Sequence, residues 1–186
     1  RLFESGYFQR VNELRFKRLL RKMENHVILC GYGRVGQEIS NQIKTQNIPI
    51  IVVESDEDRK KIAEENGLEV LCADATLDET LKLAGLEKCK SLVVTLPNDA
   101  ANLYVVLSAK GIRSSIRVIA RAGTEEAASK LRLAGASIVV SPYIAAGRAM
   151  ASMALRPIAI DFLDLLAGSE CEIEEFELSN DISLFE

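Results

Sequence analysis

The stretch VILCGYGRVGQE, residues 27–38, sets Gly31, Gly33 and Gly36 between a short apolar run and a helix-like segment. A G-x-G-x-x-G spacing that follows a strand and opens a helix suits the binding of a dinucleotide. The first glycine allows the tight turn, the second lets backbone approach a pyrophosphate, and the third lets the helix pack on the sheet. The helix start at Arg34–Gly36 then offers unpaired N–H groups to phosphates, and Arg34 adds a mobile cation beside them.

Outward from this loop the chain alternates strand and helix signals. HVILC (26–30), IPIIVVE (48–54), LEVLCA (68–73), SLVVTL (91–96), IRVIAR (116–121) and SIVVS (137–141) are short and mostly rich in β-branched residues. Such runs fit parallel strands buried on both faces. Amphipathic stretches near 35–46, 56–66, 76–84, 98–110 and 124–134 separate them. Strand and helix in this order predict an α/β fold, a doubly wound, parallel, six-stranded Rossmann-like sheet.

Ligands of such sheets sit beyond the carboxyl ends of the strands, so the residues there are the site candidates. Glu54 ends the second strand, where an acid can accept from both ribose hydroxyls and repel a 2′-phosphate. That favours NAD or an adenosine nucleotide over NADP. After strand three come Asp74, Ala75 and Thr76, placed to flank an adenine or, equally, to form a turn and cap for the next helix. Thr95, Asn98 and Asp99 follow strand four, and Arg121 ends strand five as a candidate phosphate or acid partner.

Nothing in the chain supplies the chemistry of hydride transfer. The single histidine, His26, begins the first strand. Five residues at about 3.3 Å each put it about 16 Å from the glycine loop, at the wrong end of the sheet. No Ser/Lys/Tyr arrangement offers a proton donor either. No catalytic residue is assigned, and the loop reads as one that holds a nucleotide to report it.

Composition narrows the classes further. A hydrophobic fraction of 48% is ample for a core. No apolar run reaches the roughly 18 residues of a membrane span. Cys30, Cys72, Cys89 and Cys171 form no CxxC pair, so they read as reduced thiols rather than a metal or disulfide framework. Cys30 and Cys72, inside strand-like runs, read as small hydrophobes. An acidic body without tryptophan excludes a nucleic-acid partner.

The ends differ from this body. Residues 1–24 carry a net charge of +4, against −8 for the rest. Phe16, Leu19, Leu20 and Met23 repeat at i, i+3, i+4 and i+7, which predicts a basic amphipathic helix over 8–23. It suits either a position beside anionic headgroups or an ordinary solvated face. Beyond Pro142, YIAAGRAMASMAL predicts an Ala-rich helix ending near Pro157, AIDFLDLL (159–166) a second helix, and CEIEEFEL (171–178) a strand. The expected organisation is a linker helix over 1–24, a nucleotide-binding domain over 25–141, and over 142–186 a crossover helix, a second helix and the start of a further subdomain. The first residue is Arg rather than Met, as expected of a fragment.

HVILCGYGRVG, ADAT, and RLAGASIVVSPYIAAGRAMA (132–151) together resemble the regulator-of-conductance-of-K+ domain, also called the RCK, KTN or TrkA-N domain. RFKRLLRKMENH (15–26) is similar to the linker that follows the pore helix in bacterial potassium channels. The resemblance implies a cytoplasmic domain of a plasma-membrane protein that binds NAD, NADH, AMP, ADP or ATP and opens or closes a potassium pore. It implies homodimers paired through the helix at about 142–156, and a higher ring, tetramer or octamer. The partner is a potassium-channel pore domain, and contact with membrane is only through that pore. Family contact positions fall on Gly31, Tyr32, Gly33, Arg34, Val35, Gly36, Glu54, Asp74, Ala75, Thr76, Thr95 and Arg121. Some relatives bind divalent cations through acids, but the run GSECEIEEFE reads as a solvated face, and no metal ligand is assigned. A regulatory subunit of a Trk- or Ktr-type transporter, and an NAD-dependent oxidoreductase, are the alternatives.

Overall fold

The computed structural model describes residues 23–155. Six strands, β1 (Val27–Cys30), β2 (Ile50–Glu54), β3 (Glu69–Cys72), β4 (Ser91–Val94), β5 (Val118–Arg121) and β6 (Ile138–Val140), form one sheet. Their order is β3-β2-β1-β4-β5-β6, and every pairing is parallel. The helices are α1 (Arg34–Thr45), α2 (Glu57–Glu65), α3 (Asp78–Leu83), α4 (Asp99–Ile112), α5 (Glu125–Leu133) and α6 (Pro142–Leu155). The doubly wound Rossmann-like sheet expected from the sequence is the fold observed.

Alternation along the strands sorts the core into two layers. Ile28, Cys30, Ile51, Val53, Leu92, Val94, Val118 and Ala120 share a cluster with Leu81, Val105, Val106 and Leu131 of α3, α4 and α5. Val27, Leu29, Ile50 and Val52 point the other way, toward Ile39 and Ile43 of α1 and Ala63 of α2. Each fully buried aliphatic side chain contributes about 1.5–3 kcal/mol. Burial on both faces holds for β1, β2 and β4 but fails at the edge strand β6, where Ile138 and Val140 are 42% and 43% exposed.

Short polar residues start α2, α4 and α5 at the carboxyl rim of the sheet. Asp56 accepts the N–H groups of Asp58 and Arg59, Asn98 those of Ala100 and Ala101, and Thr124 that of Ala127. Each satisfies helix donors that would otherwise be orphaned.

The chain divides into two compact units, residues 1–145 and 146–186. Of the second, only the helical stretch up to Leu155 is described, and it has no buried residue. The predicted helix over 8–23 (apart from Met23), the second helix at 159–166, the strand at 171–178 and Cys171 lie outside the described residues. No helix among the described residues is long and apolar enough to cross a membrane.

Candidate functional site

In this sheet the strand order reverses between β1 and β4, which run side by side with Cys30 opposite Val94. At such a reversal, beyond the carboxyl ends, α/β sheets form the crevice in which they bind ligands. The glycine loop leaves β1 at this point. Gly31 turns with φ +95°, a region that an L side chain rarely enters, and gives its N–H to Val53 O at 2.9 Å. A Cβ on Gly36 would stand 2.2 Å from Gly31 O, so α1 packs on the loop with no room for a side chain. Gly33 differs from both: a Cβ there would meet nothing within 4 Å, and its φ of −76° suits any residue. The space over Gly33 is open to a ligand.

α1 begins on Gly33 without a side-chain cap, and its first turn carries no acid. The N–H groups of Arg34, Val35 and Gly36 precede the first intrahelical bond, from Gln37 N–H to Gly33 O. A helix start of this kind favours anions through its free donors and its dipole. Arg34 is exposed, and no ion pair engages it among the described residues.

Two residues brace the loop from either side. Glu54 is 5% exposed; its Oε2 accepts the Tyr32 N–H at 2.7 Å and its Oε1 the Asp56 N–H at 3.0 Å. Arg59 Nη1 lies 3.9 Å from Oε2. A carboxylate has about four lone-pair sites, so capacity remains for ribose hydroxyls. The nearby guanidinium means that the pocket is not uniformly repulsive to a 2′-phosphate, which modifies the simple selectivity drawn from Glu54 alone. Across the crevice, Thr95 N–H donates to Cys30 O at 2.8 Å, and its hydroxyl is shared between Cys30 O at 3.1 Å and Gly31 O at 3.0 Å.

The other sequence candidates fall into place unevenly. The Tyr32 side chain is fully buried beneath α1 and α2, and its hydroxyl accepts from Asn66 Nδ2 at 3.2 Å. Only its backbone faces the loop. Val35 is half-buried at the start of α1. Asp74 Oδ1 accepts both the N–H and the hydroxyl of Thr76 at 2.8 Å, so these two form a turn. The cap position of α3 is Leu77, without a side-chain bond. Ala75 packs into the core. Arg121 places one Nη 3.5 Å from Leu96 O and stands 5.5 Å over the Tyr143 ring, while its Nε is buried without a partner.

Three contacts at the rim escape a reading for ligand types. Asn102, fully buried, accepts from Leu96 N–H and donates to Leu96 O and Arg121 O, tying the ends of β4 and β5 together. Its signal was a polar residue on the apolar face of AANLYVV. Asp99 accepts the Gly123 N–H at 2.8 Å. Cys72 is not a buried hydrophobe: half-buried, its thiol donates to Glu57 at 3.2 Å. Burial, then that bond, pushes the thiol pKa up, while the same bond and Lys60 hold the Glu57 carboxyl below its usual range.

His26 lies at the amino end of β1, fully buried, with Nε2 2.9 Å from Ala84 O. A carbonyl only accepts, so Nε2 carries the proton and Nδ1 is left without a partner. Among the described residues no group of three or more His, Cys, Asp or Glu side chains could hold a metal ion.

The sequence model of the TrkA-N domain matches residues 27–142. Potassium channel protein 1 of Methanocaldococcus jannaschii is 37% identical over 175 residues, 92% of this chain and 53% of that protein. The chain thus spans about half the length of that relative. The crystal structure of the TrkA-N domain of the Escherichia coli inner membrane protein ybaL superposes with a TM-score of 0.67 at 31% identity, covering 71% of this chain and 98% of that one. The GsuK channel has been solved bound to ADP, with a TM-score of 0.62 at 27% identity over 76% of this chain and 38% of that one. Its NAD-bound form, at 22% identity, shares the fold, with a TM-score of 0.60 over 64% of this chain and 22% of that one. This chain belongs to the TrkA-N domain family.

Proposed function

We propose that this chain is the ligand-sensing gating domain of a potassium channel, which binds NAD(H) or an adenine nucleotide on the cytoplasmic side of the plasma membrane to control K+ conduction. The observation that carries the nucleotide is the open space over Gly33 beside the uncapped start of α1, braced by Glu54 and Thr95. Phosphates fit over that helix start, and a ribose fits beside Glu54. The sensing role rests on what surrounds the cradle. Of the acids and bases that face it, Glu54 is committed to loop N–H groups, and the only histidine is at the far end of the sheet. Glu54, so held, suits anchoring a ribose rather than moving a proton at a nicotinamide.

Similarity over 92% of the chain favours a channel over a transporter subunit, because it reaches well beyond the matched 27–142 region. A homodimer through α6, assembled into a ring under the pore, is the arrangement we propose. Gating requires only that the nucleotide bind open and closed rings with different affinity. The test is reconstitution of the full-length parent, with K+ flux measured against NAD, NADH, AMP, ADP and ATP. Flux that responds to one of them, together with calorimetric binding to the 186-residue chain, supports the proposal. Binding without any change in flux overturns the gating role, and turnover of bound NADH with a carbonyl substrate overturns the sensor.

A further inference from the structure

At the opposite end of the sheet from the glycine loop, a groove of about 210 Å³ opens beneath β2 and β3. Ile48, Pro49 and Leu68 give it an apolar lining, Lys44 and Glu69 stand at its lip, and Met23 forms one wall. Both α1 and α2 end beside it, so two helix carboxyl termini give the floor a partial negative potential. Glu64, Glu65 and Glu69 add exposed acids, whereas Lys44 is drawn to Asn66 O at 2.6 Å. The floor is apolar within, and acids outnumber the one lysine, Lys44, around it.

The segment that leads into Met23 has the complementary character. Leu19 and Leu20 share a helical face with Met23 by their spacing, and Lys17, Arg18, Arg21 and Lys22 surround them. Met23 is the last residue of that stripe and already lines the groove. We infer that the groove is the docking seat of residues 16–22 of this same chain: Leu19 and Leu20 enter beside Met23, and the flanking cations lie against the acidic rim. A separate partner would have to find a site that the chain's own apolar stripe reaches within four residues. The linker then rests on the floor of the domain, and a pull on it is felt at the starts of β2 and β3. This docking does not depend on which nucleotide the crevice holds.

The chain contains no tryptophan, so Leu20→Trp gives a single reporter in the full 186-residue protein. Docking predicts blue-shifted emission, with iodide quenching several-fold weaker than for a tryptophan peptide of the same local sequence. Leu19→Trp, read in the same way, guards against one indole being too large for the groove. Pro49→Lys and Glu69→Lys, both at exposed positions, are then added to place charge on the seat without disturbing the core. The expected result is a return to solvent-like emission and full quenching, with the nucleotide-free melting temperature little changed. Solvent-like emission from both reporters in the parent protein overturns the inference. So does protection that survives both lysines or rises with protein concentration, since either outcome assigns the stripe to another surface or a second copy.

Discussion

The carboxylate of Glu54 receives the backbone N–H of Tyr32 at 2.7 Å, so the acid at the end of β2 holds the glycine loop before any ribose arrives. Loop geometry and ribose recognition therefore share one side chain. Glu54→Ala should weaken nucleotide binding by about 1–3 kcal/mol, the range for a hydrogen bond to a charged group. It should also lower the stability of the nucleotide-free protein, because the buried Tyr32 N–H loses its acceptor. Calorimetry and urea unfolding on the same variant separate the two effects. An unchanged affinity removes Glu54 from the site, and an unchanged stability removes its bracing role.

Gly33 and Gly36 should respond oppositely to the same added methyl group. Gly33→Ala meets no protein atom within 4 Å, so stability should hold while nucleotide affinity falls at least about tenfold, or 1.4 kcal/mol. Gly36→Ala drives a Cβ toward Gly31 O and should cost about 1–3 kcal/mol of stability, as overpacking does. Thermal melts with and without nucleotide give both numbers. Full affinity in Gly33→Ala would place the phosphates elsewhere.

Arg34 is exposed beside the helix start and free to follow a phosphate or a neighbouring protomer. Arg34→Ala should reduce the nucleotide's effect on channel opening more than it reduces binding. The expected coupling is about 1–3 kcal/mol, a shift of about 5- to 150-fold. In reconstituted full-length channels, a dose curve that slides to higher concentration at full amplitude would make Arg34 a binding residue only.

Burial is the main reason the His26 pKa lies below 6.5, its bond to Ala84 O opposing that shift only in part. Its folded pKa being depressed, the unfolded chain takes up the proton first as pH falls. Stability should therefore decline below about pH 6.5, down to the folded pKa, by at most about 1.4 kcal/mol per pH unit. Gln at this position keeps a donor for Ala84 O without titrating. If urea midpoints of the parent and His26→Gln fall in parallel between pH 7.5 and 5.5, the histidine is not the cause.

Ala149 and Ala151 lie on α6, which has no buried residue in the single chain. Trp at either position meets no buried surface within the chain but adds volume at the dimer interface proposed for this helix. Ala149→Trp and Ala151→Trp should lower the mass seen by light scattering to that of a monomer. A wild-type mass would show that the protomers pair elsewhere.

The alternation of strands with helices and the glycine loop were legible because each follows from a short local pattern: β-branched runs between amphipathic stretches, and glycines at fixed offsets. Glu54 was legible as an acid ending β2, but its hold on Tyr32 N–H was not, since that contact joins residues from two different strand ends. Tyr32 illustrates the limit. Its place in the motif says ligand, whereas its ring is fully buried in the core under α2, with its hydroxyl on Asn66. Asp74 and Thr76 left a turn or an adenine contact open, and the hydrogen bonds at 2.8 Å make the turn without removing the pair from the rim. The exposed edge at β6 was not legible at all, because the runs that form β6 and β4 look alike and only the sheet order tells edge from centre.

The absence of space between Gly36 and Gly31 O has a mechanical consequence. Loop and helix cannot slip past one another, so α1 behaves as a rigid lever with its fulcrum on the sheet. Twelve residues at about 1.5 Å each make its arm about 18 Å long. One end carries the proposed phosphate seat, and the other ends at Lys44, tethered to Asn66 O beside the groove where Met23 enters. A tilt of α1 about that contact would move its carboxyl end, at the foot of the domain.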